Sequence, residues 1–196
     1  MSNQKTKKLV GTAFLAAIIV VLQTVASGIK IGPFTPTLSL IPIVVGAIIY
    51  GEWAGAFLGL VFGIVVFISV LGGAEPMSTM MFELHPFLTA VVCLLKGALA
   101  GFIPGIAYKL IKNKDSLVAT AIPALLAPIT NTGIFTIFTL TVFLPVANTF
   151  AEMLGFKNAG AFVLGAIIGT NFIGELLINA ILTPIIARVI KAVRKG

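Results

Sequence analysis

The stretch WAGAFLGLVFGIVVFISVL, residues 53–71, contains nineteen residues and no charged side chain. A helix needs about 20 mostly apolar residues to cross the hydrocarbon core of a bilayer, so this stretch predicts a transmembrane helix. Five further runs of the same character predict crossings at Leu9 to Ser27, Leu38 to Tyr50, Pro86 to Tyr108, Leu117 to Leu144 and Ala161 to Ile190. The sequence therefore predicts an all-α membrane protein, in which residues 1–196 form one domain of six transmembrane helices.

The composition agrees with a membrane protein and excludes several other classes. Hydrophobic residues make up 59% of the 196 residues and charged residues 10%, whereas a soluble domain has roughly 25% charged residues. One cysteine and one histidine cannot form a disulfide framework or a metal site built from several such ligands. The chain also lacks the glycine-rich phosphate-binding loop of many nucleotide-binding proteins. We therefore expect neither an enzyme nor a bound metal or cofactor.

The basic residues are distributed unevenly between the predicted loops. Six crossings place both chain ends and the even-numbered loops on one side, and that side carries ten of the 13 lysines and arginines. The opposite side carries Lys30 and Lys157, and Lys96 lies within a span. Because cytoplasmic loops retain positive charge, both termini are predicted to be cytoplasmic. The net charge of +7 then reflects orientation in the membrane and does not indicate nucleic-acid binding.

Small residues recur every four positions in two of the predicted helices. The two series are Gly51, Gly55, Gly59 and Gly63, and Gly97, Gly101 and Gly105. Small residues let helices approach closely in lipid, where burial of apolar side chains gives little drive for association. We expect these series to pack inside the bundle; a surface on which another membrane subunit slides is the alternative.

Several polar side chains are predicted to lie deep in the membrane. Lys96 is ten residues below Pro86, which is about 15 Å along a helix, and Asn171 lies at a similar depth. Asn131 falls in the outer half of its span. Ionisable and polar groups are costly at such depths and usually have a function there. We expect Lys96, Asn131 and Asn171 to contact a ligand in the outer half of the bundle.

A polar stripe is predicted on the last helix, where Asn171, Glu175 and Asn179 are spaced four residues apart. Lipid cannot satisfy these groups, so the stripe should face the bundle interior. Glu175 could contact a ligand or form a structural ion pair with Lys96, and the sequence leaves both possibilities open. Gln23, near the outer end of the first helix, fits a helix–helix contact better.

The aromatic residues indicate which kind of ligand would fit. The tyrosines and the tryptophan lie at the cytoplasmic boundary, where an interfacial belt explains them. The outer half contains phenylalanines, Phe34 and Phe82 among them. Flat heteroaromatic ligands are commonly held by Trp or Tyr. A flexible, non-aromatic ligand with a carboxylate for Lys96 is therefore favoured.

Four local patterns in this order resemble the substrate-binding S components of the energy-coupling factor (ECF) vitamin transporters. They are Ala13-x-x-x-Ala17 in the first helix, the run of residues 40–47 followed by GEWAGAFLG at 51–59, KGALAG at 96–101, and PITNTGIF at 128–135. The resemblance covers nearly the whole chain. Within the family it points to the pantothenate-type S component.

The resemblance implies a high-affinity vitamin-binding subunit in the bacterial cell membrane. It implies docking on a transmembrane T component through Ala13 and Ala17, with two ATPase subunits supplying energy. It also implies that the S component topples to release its substrate and that the outer loops, residues 28–37 and 71–85, act as lids. The expected substrate contacts are Lys96, Asn131, Asn171, Glu175, Phe34 and Phe82.

Other functions remain open at this point. Folate, a pyridoxine-type vitamin or cobalamin could replace pantothenate as the substrate. A self-sufficient secondary carrier could use Glu175 to carry a proton, although such carriers usually contain inverted repeats and none is found here. A scaffolding subunit without a ligand would use its deep polar groups only to join helices.

Overall fold

The computed structural model describes residues 2–27, 37–114 and 116–195. These residues form helices and turns, and no strand occurs among them, which confirms the all-α class. The helices are α1 (Ser2–Ser27), α2 (Leu40–Tyr50), α3 (Glu52–Leu71), α4 (Pro76–Leu84), α5 (Pro86–Leu110), α6 (Leu117–Thr141), α7 (Leu144–Met153), α8 (Ala159–Phe162), a π-helical segment (Val163–Phe172) and α9 (Ile173–Lys195).

Five of the described helices are long and apolar enough to cross a membrane: α1, α3, α5, α6 and the continuous helix formed by α8, the π-helical segment and α9. The predicted second crossing is the short helix α2. Its 11 residues extend only about 16 Å at 1.5 Å per residue. Eight of them are buried, so the neighbouring helices cover α2 almost completely.

The region after α6 differs from the prediction. The fifth run was expected to continue to Leu144, but α6 ends at Thr141 and a separate helix, α7, begins at Leu144. Pro145 stands in the first turn of α7, where a proline costs no hydrogen bond. The apolar composition is continuous across this turn, which is why hydropathy alone does not separate the two helices.

The two glycine series pack against each other in an antiparallel pair of helices, α3 and α5. A Cβ atom added to Gly59 would overlap the carbonyl group of Gly97, and one added to Gly55 would overlap that of Gly101. One turn further along, Gly63 lies against the carbonyl of Cys93. The backbones therefore touch over three helical turns, which confirms internal packing for Gly55, Gly59 and Gly63 of the first series. Gly51 differs: it stands between α2 and α3 with φ of 95°, and a Cβ atom there would meet nothing within 4 Å.

The ends of α1, α2, α3 and α5 define one end of the bundle. Gly11 of α1 lies against the hydroxyl of Tyr50, the last residue of α2. In the next helix, Glu52 forms an ion pair of 2.6 Å with Lys109 near the end of α5. Further along, Lys114 and Lys191 line one crevice between α6 and α9. We call this the basic end of the bundle, because these lysines gather there.

Candidate functional site

A polar cavity lies in the half of the bundle away from the basic end. It measures about 580 Å³, including the part that opens to solvent. Helices α1, α3, α5, α6 and the last long helix contribute to its wall, together with α4 and the residue preceding it. The lining residues are Gln23, Thr37, Phe62, Val66, Glu75, Met77, Ser78, Lys96, Asn131, Thr132, Phe135, Asn171 and Glu175.

The open space inside this cavity is small. About 50 Å³ can hold the centre of a water molecule, which is enough for a few waters. A ligand larger than that must therefore displace the side chains that face the cavity.

Lys96 reaches the cavity from the middle of α5 and is half-buried. Its Nζ atom lies 5.0 Å from the centroid of the Phe135 ring, which is within the range of a cation–π interaction. Among the residues that the structure describes, the one ion pair within 4.0 Å joins Lys109 to Glu52. The ammonium group of Lys96 thus lies against an aromatic face, and no described acid lies within 4.0 Å of it.

Glu175 is almost completely buried on α9, with 3% of its surface exposed. Its Oε2 atom accepts a hydrogen bond of 3.2 Å from the hydroxyl of Thr132 on α6. Its other oxygen, Oε1, is buried and has no hydrogen-bond partner among the described residues. The side chains of Thr37 and Asn171 also lie close to this carboxyl group, and no ion pair within 4.0 Å joins it to Lys96. Contact of Oε1 with a ligand stays a prediction.

Asn131 provides a second buried acceptor without a partner in the wall of the cavity. The residue lies in α6 beside Thr132, and 4% of its surface is exposed. Its Oδ1 atom makes no hydrogen bond with any described residue. Leaving a buried acceptor unpaired costs about 1–3 kcal/mol. Asn131 and Glu175 therefore present two acceptors that a ligand with O–H or N–H groups would satisfy.

The polar stripe predicted on the last helix divides into two parts. Asn171, which belongs to the π-helical segment, and Glu175 both line the cavity. Asn179 does not: it is fully buried, and its Nδ2 atom donates a hydrogen bond of 2.9 Å to the backbone oxygen of Glu175. Asn179 lies about one helical turn beyond Glu175, the last residue of this helix that lines the cavity, so it contributes to helix packing.

Of the two phenylalanines that were expected at the site, the structure describes only Phe82. Phe34 lies outside the described residues. Phe82 does not line the cavity, because it stands one turn further along α4 than Ser78 and packs edge-on against Phe67 of α3, with ring centroids 5.8 Å apart. Phe62 and Phe135 provide the aromatic wall in its place. Residue type alone does not distinguish the phenylalanines that line the cavity from those that do not.

Sequence reasoning also missed the contribution of α4. The segment 71–85 was expected to form a loop over the site, but it contains a helix that places Met77 and Ser78, with the preceding Glu75, in the cavity wall. The pair Glu75-Pro76 is a usable signal, since proline favours the first turn of a helix. Gln23, which was expected to join helices, does so and also lines the cavity: its side-chain oxygen accepts a hydrogen bond of 3.0 Å from the hydroxyl of Ser39.

Ala13 and Ala17 lie on the outer surface of α1, which is the most exposed of the five long helices. Ala13 lines a shallow apolar groove between α1 and α3, with Trp53 and Phe57 on its other side and Lys5 and Lys8 at one end. Ala17 is exposed but does not line that groove. Both small residues are therefore accessible from the membrane.

Comparisons with known proteins agree on one family. Residues 7–187 match the family described as "ECF transporter, substrate-specific component". The chain is 30% identical over 208 residues to the pantothenic acid transporter PanT of Lactococcus lactis subsp. cremoris (strain MG1363), with all of both chains covered. Its fold is similar to a solved structure of ThiT from Listeria monocytogenes, with a TM-score of 0.67 and 21% identity over 98% of this chain and 97% of the other.

Proposed function

We propose that the cavity of this chain, which belongs to the ECF transporter substrate-specific components, binds pantothenate. As a member of that family, the chain is a vitamin-binding transporter subunit and not an enzyme. It is a multi-pass protein of the bacterial cell membrane.

One observation carries the choice of ligand: a lysine without an ion pair among the described residues faces a cavity that also contains two buried acceptor atoms without a hydrogen bond to any of those residues. Lys96 requires an anionic group, and the oxygens of Asn131 and Glu175 require hydrogen-bond donors. Pantothenate carries a carboxylate at one end and two hydroxyl groups and an amide N–H along the rest of the molecule. The similarity to a relative named as a pantothenic acid transporter supports the same ligand.

Five of the lining residues receive a role in this proposal. Lys96 neutralises the carboxylate, while Asn131, Asn171 and Glu175 bind the hydroxyl and amide groups. The ring of Phe135 contacts Lys96 and would pack against the methyl groups of the ligand. Phe34 stays a proposed contact, because it precedes Thr37, a lining residue, by three positions.

We further propose six crossings in one domain, with both termini in the cytoplasm. The gathering of Lys109, Lys114 and Lys191 at the basic end supports this orientation, since cytoplasmic segments retain positive charge. The cavity then opens toward the outside, where the vitamin arrives. The second crossing would consist of α2 and the residues that precede it.

The proposed partners are a transmembrane T component and two ATPase subunits. The exposed Ala13 and Ala17 would form part of the contact with the T component, because small residues allow helices to approach closely. Energy would come from the ATPases, and the subunit would release the vitamin inside by toppling in the membrane.

Two measurements test the proposal. Mass spectrometry of the small molecule that copurifies with the protein should identify pantothenate. Calorimetric titration of ligand-free protein with pantothenate, folate, pyridoxine and cobalamin should show tight binding of pantothenate alone. Tight binding of another of these vitamins, or of none, would overturn the assignment of the ligand.

A further inference from the structure

Glu75 brings a second acidic side chain to the cavity, in addition to Glu175. It is half-buried, and it forms no ion pair with any residue that the structure describes. It lies in the turn between α3 and α4, directly before Pro76. The site described above makes no use of this side chain.

The backbone around Glu75 is firmly placed. The left-handed conformation of Gly73, with φ of 73°, turns the chain after α3. The carbonyl oxygen of Glu75 accepts hydrogen bonds from both the backbone N–H (2.8 Å) and the hydroxyl (2.9 Å) of Thr79. Met77 and Met81 anchor α4 in an apolar cluster. These contacts hold the backbone of Glu75 at the wall of the cavity, of which it is a lining residue.

The charges around the cavity are unequal in number. Among the described lining residues, Lys96 is the one basic side chain, and Glu75 and Glu175 are the acidic ones. A ligand carboxylate bound to Lys96 uses the available positive charge. A second anionic group on the same ligand would find no further cation among the described lining residues, and next to Glu75 or Glu175 it would meet a like charge.

We infer that Glu75 is a specificity-determining residue that restricts the cavity to ligands with a single negative charge and excludes phosphorylated forms of the same ligand. The inference rests on the proposed function. A phosphate monoester adds a charge of about −1.5 to −2 at neutral pH, and the described lining residues contain no second cation that would compensate it. The site therefore accepts the free vitamin and rejects its phosphate ester.

The experiment is a calorimetric comparison of pantothenate with pantothenate phosphorylated on its terminal hydroxyl group. The wild type should bind the phosphorylated ligand at least about 100-fold more weakly. In Glu75→Gln, the ratio of the two dissociation constants should fall by about tenfold or more, because one repulsive charge is removed. Glu83→Gln is the matched control: Glu83 lies in α4, the helix that follows Glu75, is exposed and does not line the cavity, so its ratio should equal that of the wild type.

The outcomes separate the two proposals. Equal binding of both ligands by the wild type, or an unchanged ratio in Glu75→Gln, would overturn the role of Glu75. Glutamine has nearly the same shape as glutamate, so exclusion by size would persist in that variant. If the wild type binds pantothenate in neither form, the proposed function fails, and the inference fails with it.

Discussion

The Nζ atom of Lys96 lies 5.0 Å from the centre of the Phe135 ring, and this pair joins α5 to α6 across the cavity. A cation–π interaction contributes about 0.5–2 kcal/mol, depending on how far the charge is removed from water. That is much less than the cost of burying a charge without compensation. The ring therefore orients the lysine without neutralising it, and a ligand carboxylate can bind without first breaking a salt bridge.

The first prediction concerns the charge of Lys96. Replacing it by methionine, Lys96→Met, keeps the length of the side chain and removes the ammonium group. An uncompensated carboxylate in this site should cost about 3 kcal/mol or more, which is over 100-fold in affinity. Calorimetric titration with pantothenate measures the change. Lys157→Met, at an exposed lysine that does not line the cavity, should bind as the wild type does, whereas unchanged affinity in Lys96→Met would refute the role of the lysine.

The second prediction concerns the ring that orients Lys96. Phe135→Leu keeps an apolar side chain and removes the aromatic face, so pantothenate affinity should fall by about 3- to 30-fold. Phe138→Leu, in the same helix but away from the cavity wall, is the control and should change the affinity less than twofold. Equal effects of the two substitutions would show that packing of α6, and not the contact with Lys96, is being measured.

The sequence predicted the parts of the fold that depend on local composition. The run at 53–71 is α3, and its glycines meet those of α5 as their four-residue spacing indicated. The polar residues predicted to lie deep, Lys96 and Asn131 among them, line one cavity with Asn171 and Glu175. Polar side chains are costly to bury in a membrane, and this cost indicated that these residues have a function. Their contact with a ligand stays a prediction.

What the sequence could not predict depends on contacts between distant segments. The π-helical segment Val163–Phe172 has the same apolar composition as an α-helix, and no local pattern distinguishes the two. The position of Phe82 against Phe67, and that of Glu75 in the cavity wall, follow from how α4 packs on α3 and α5. Hydropathy measures none of these contacts.

The third prediction tests the close contact between α3 and α5. In Gly59→Ala the new methyl group would collide with the backbone carbonyl of Gly97, which cannot move away without shifting a helix. We expect a large loss of thermal stability or of folded protein in detergent. Gly133→Ala is the matched control, because a Cβ atom at this helical position meets nothing within 4 Å.

The Gly133→Ala variant should be as stable as the wild type, or more stable by up to about 1 kcal/mol, because alanine is the better helix former. Melting curves followed by size-exclusion fluorescence compare the two variants directly. A Gly59→Ala protein that melts at the wild-type temperature would contradict the backbone contact.

The fourth prediction separates docking from ligand binding. Ala13→Trp and Ala17→Trp add a large ring to the exposed face of α1, more than one turn away from Gln23, the residue of that helix that lines the cavity. If this face contacts the T component, cellular uptake of radiolabelled pantothenate should fall to background, while the purified variants bind the vitamin as the wild type does. Ile181→Trp, at an exposed position on α9, controls for the effect of a bulky side chain in lipid and should preserve both activities. Loss of both uptake and binding would instead show that this face of α1 is needed for folding. In a separate experiment, uptake by the wild type that persists in cells without the ATPase subunits would favour a self-sufficient carrier.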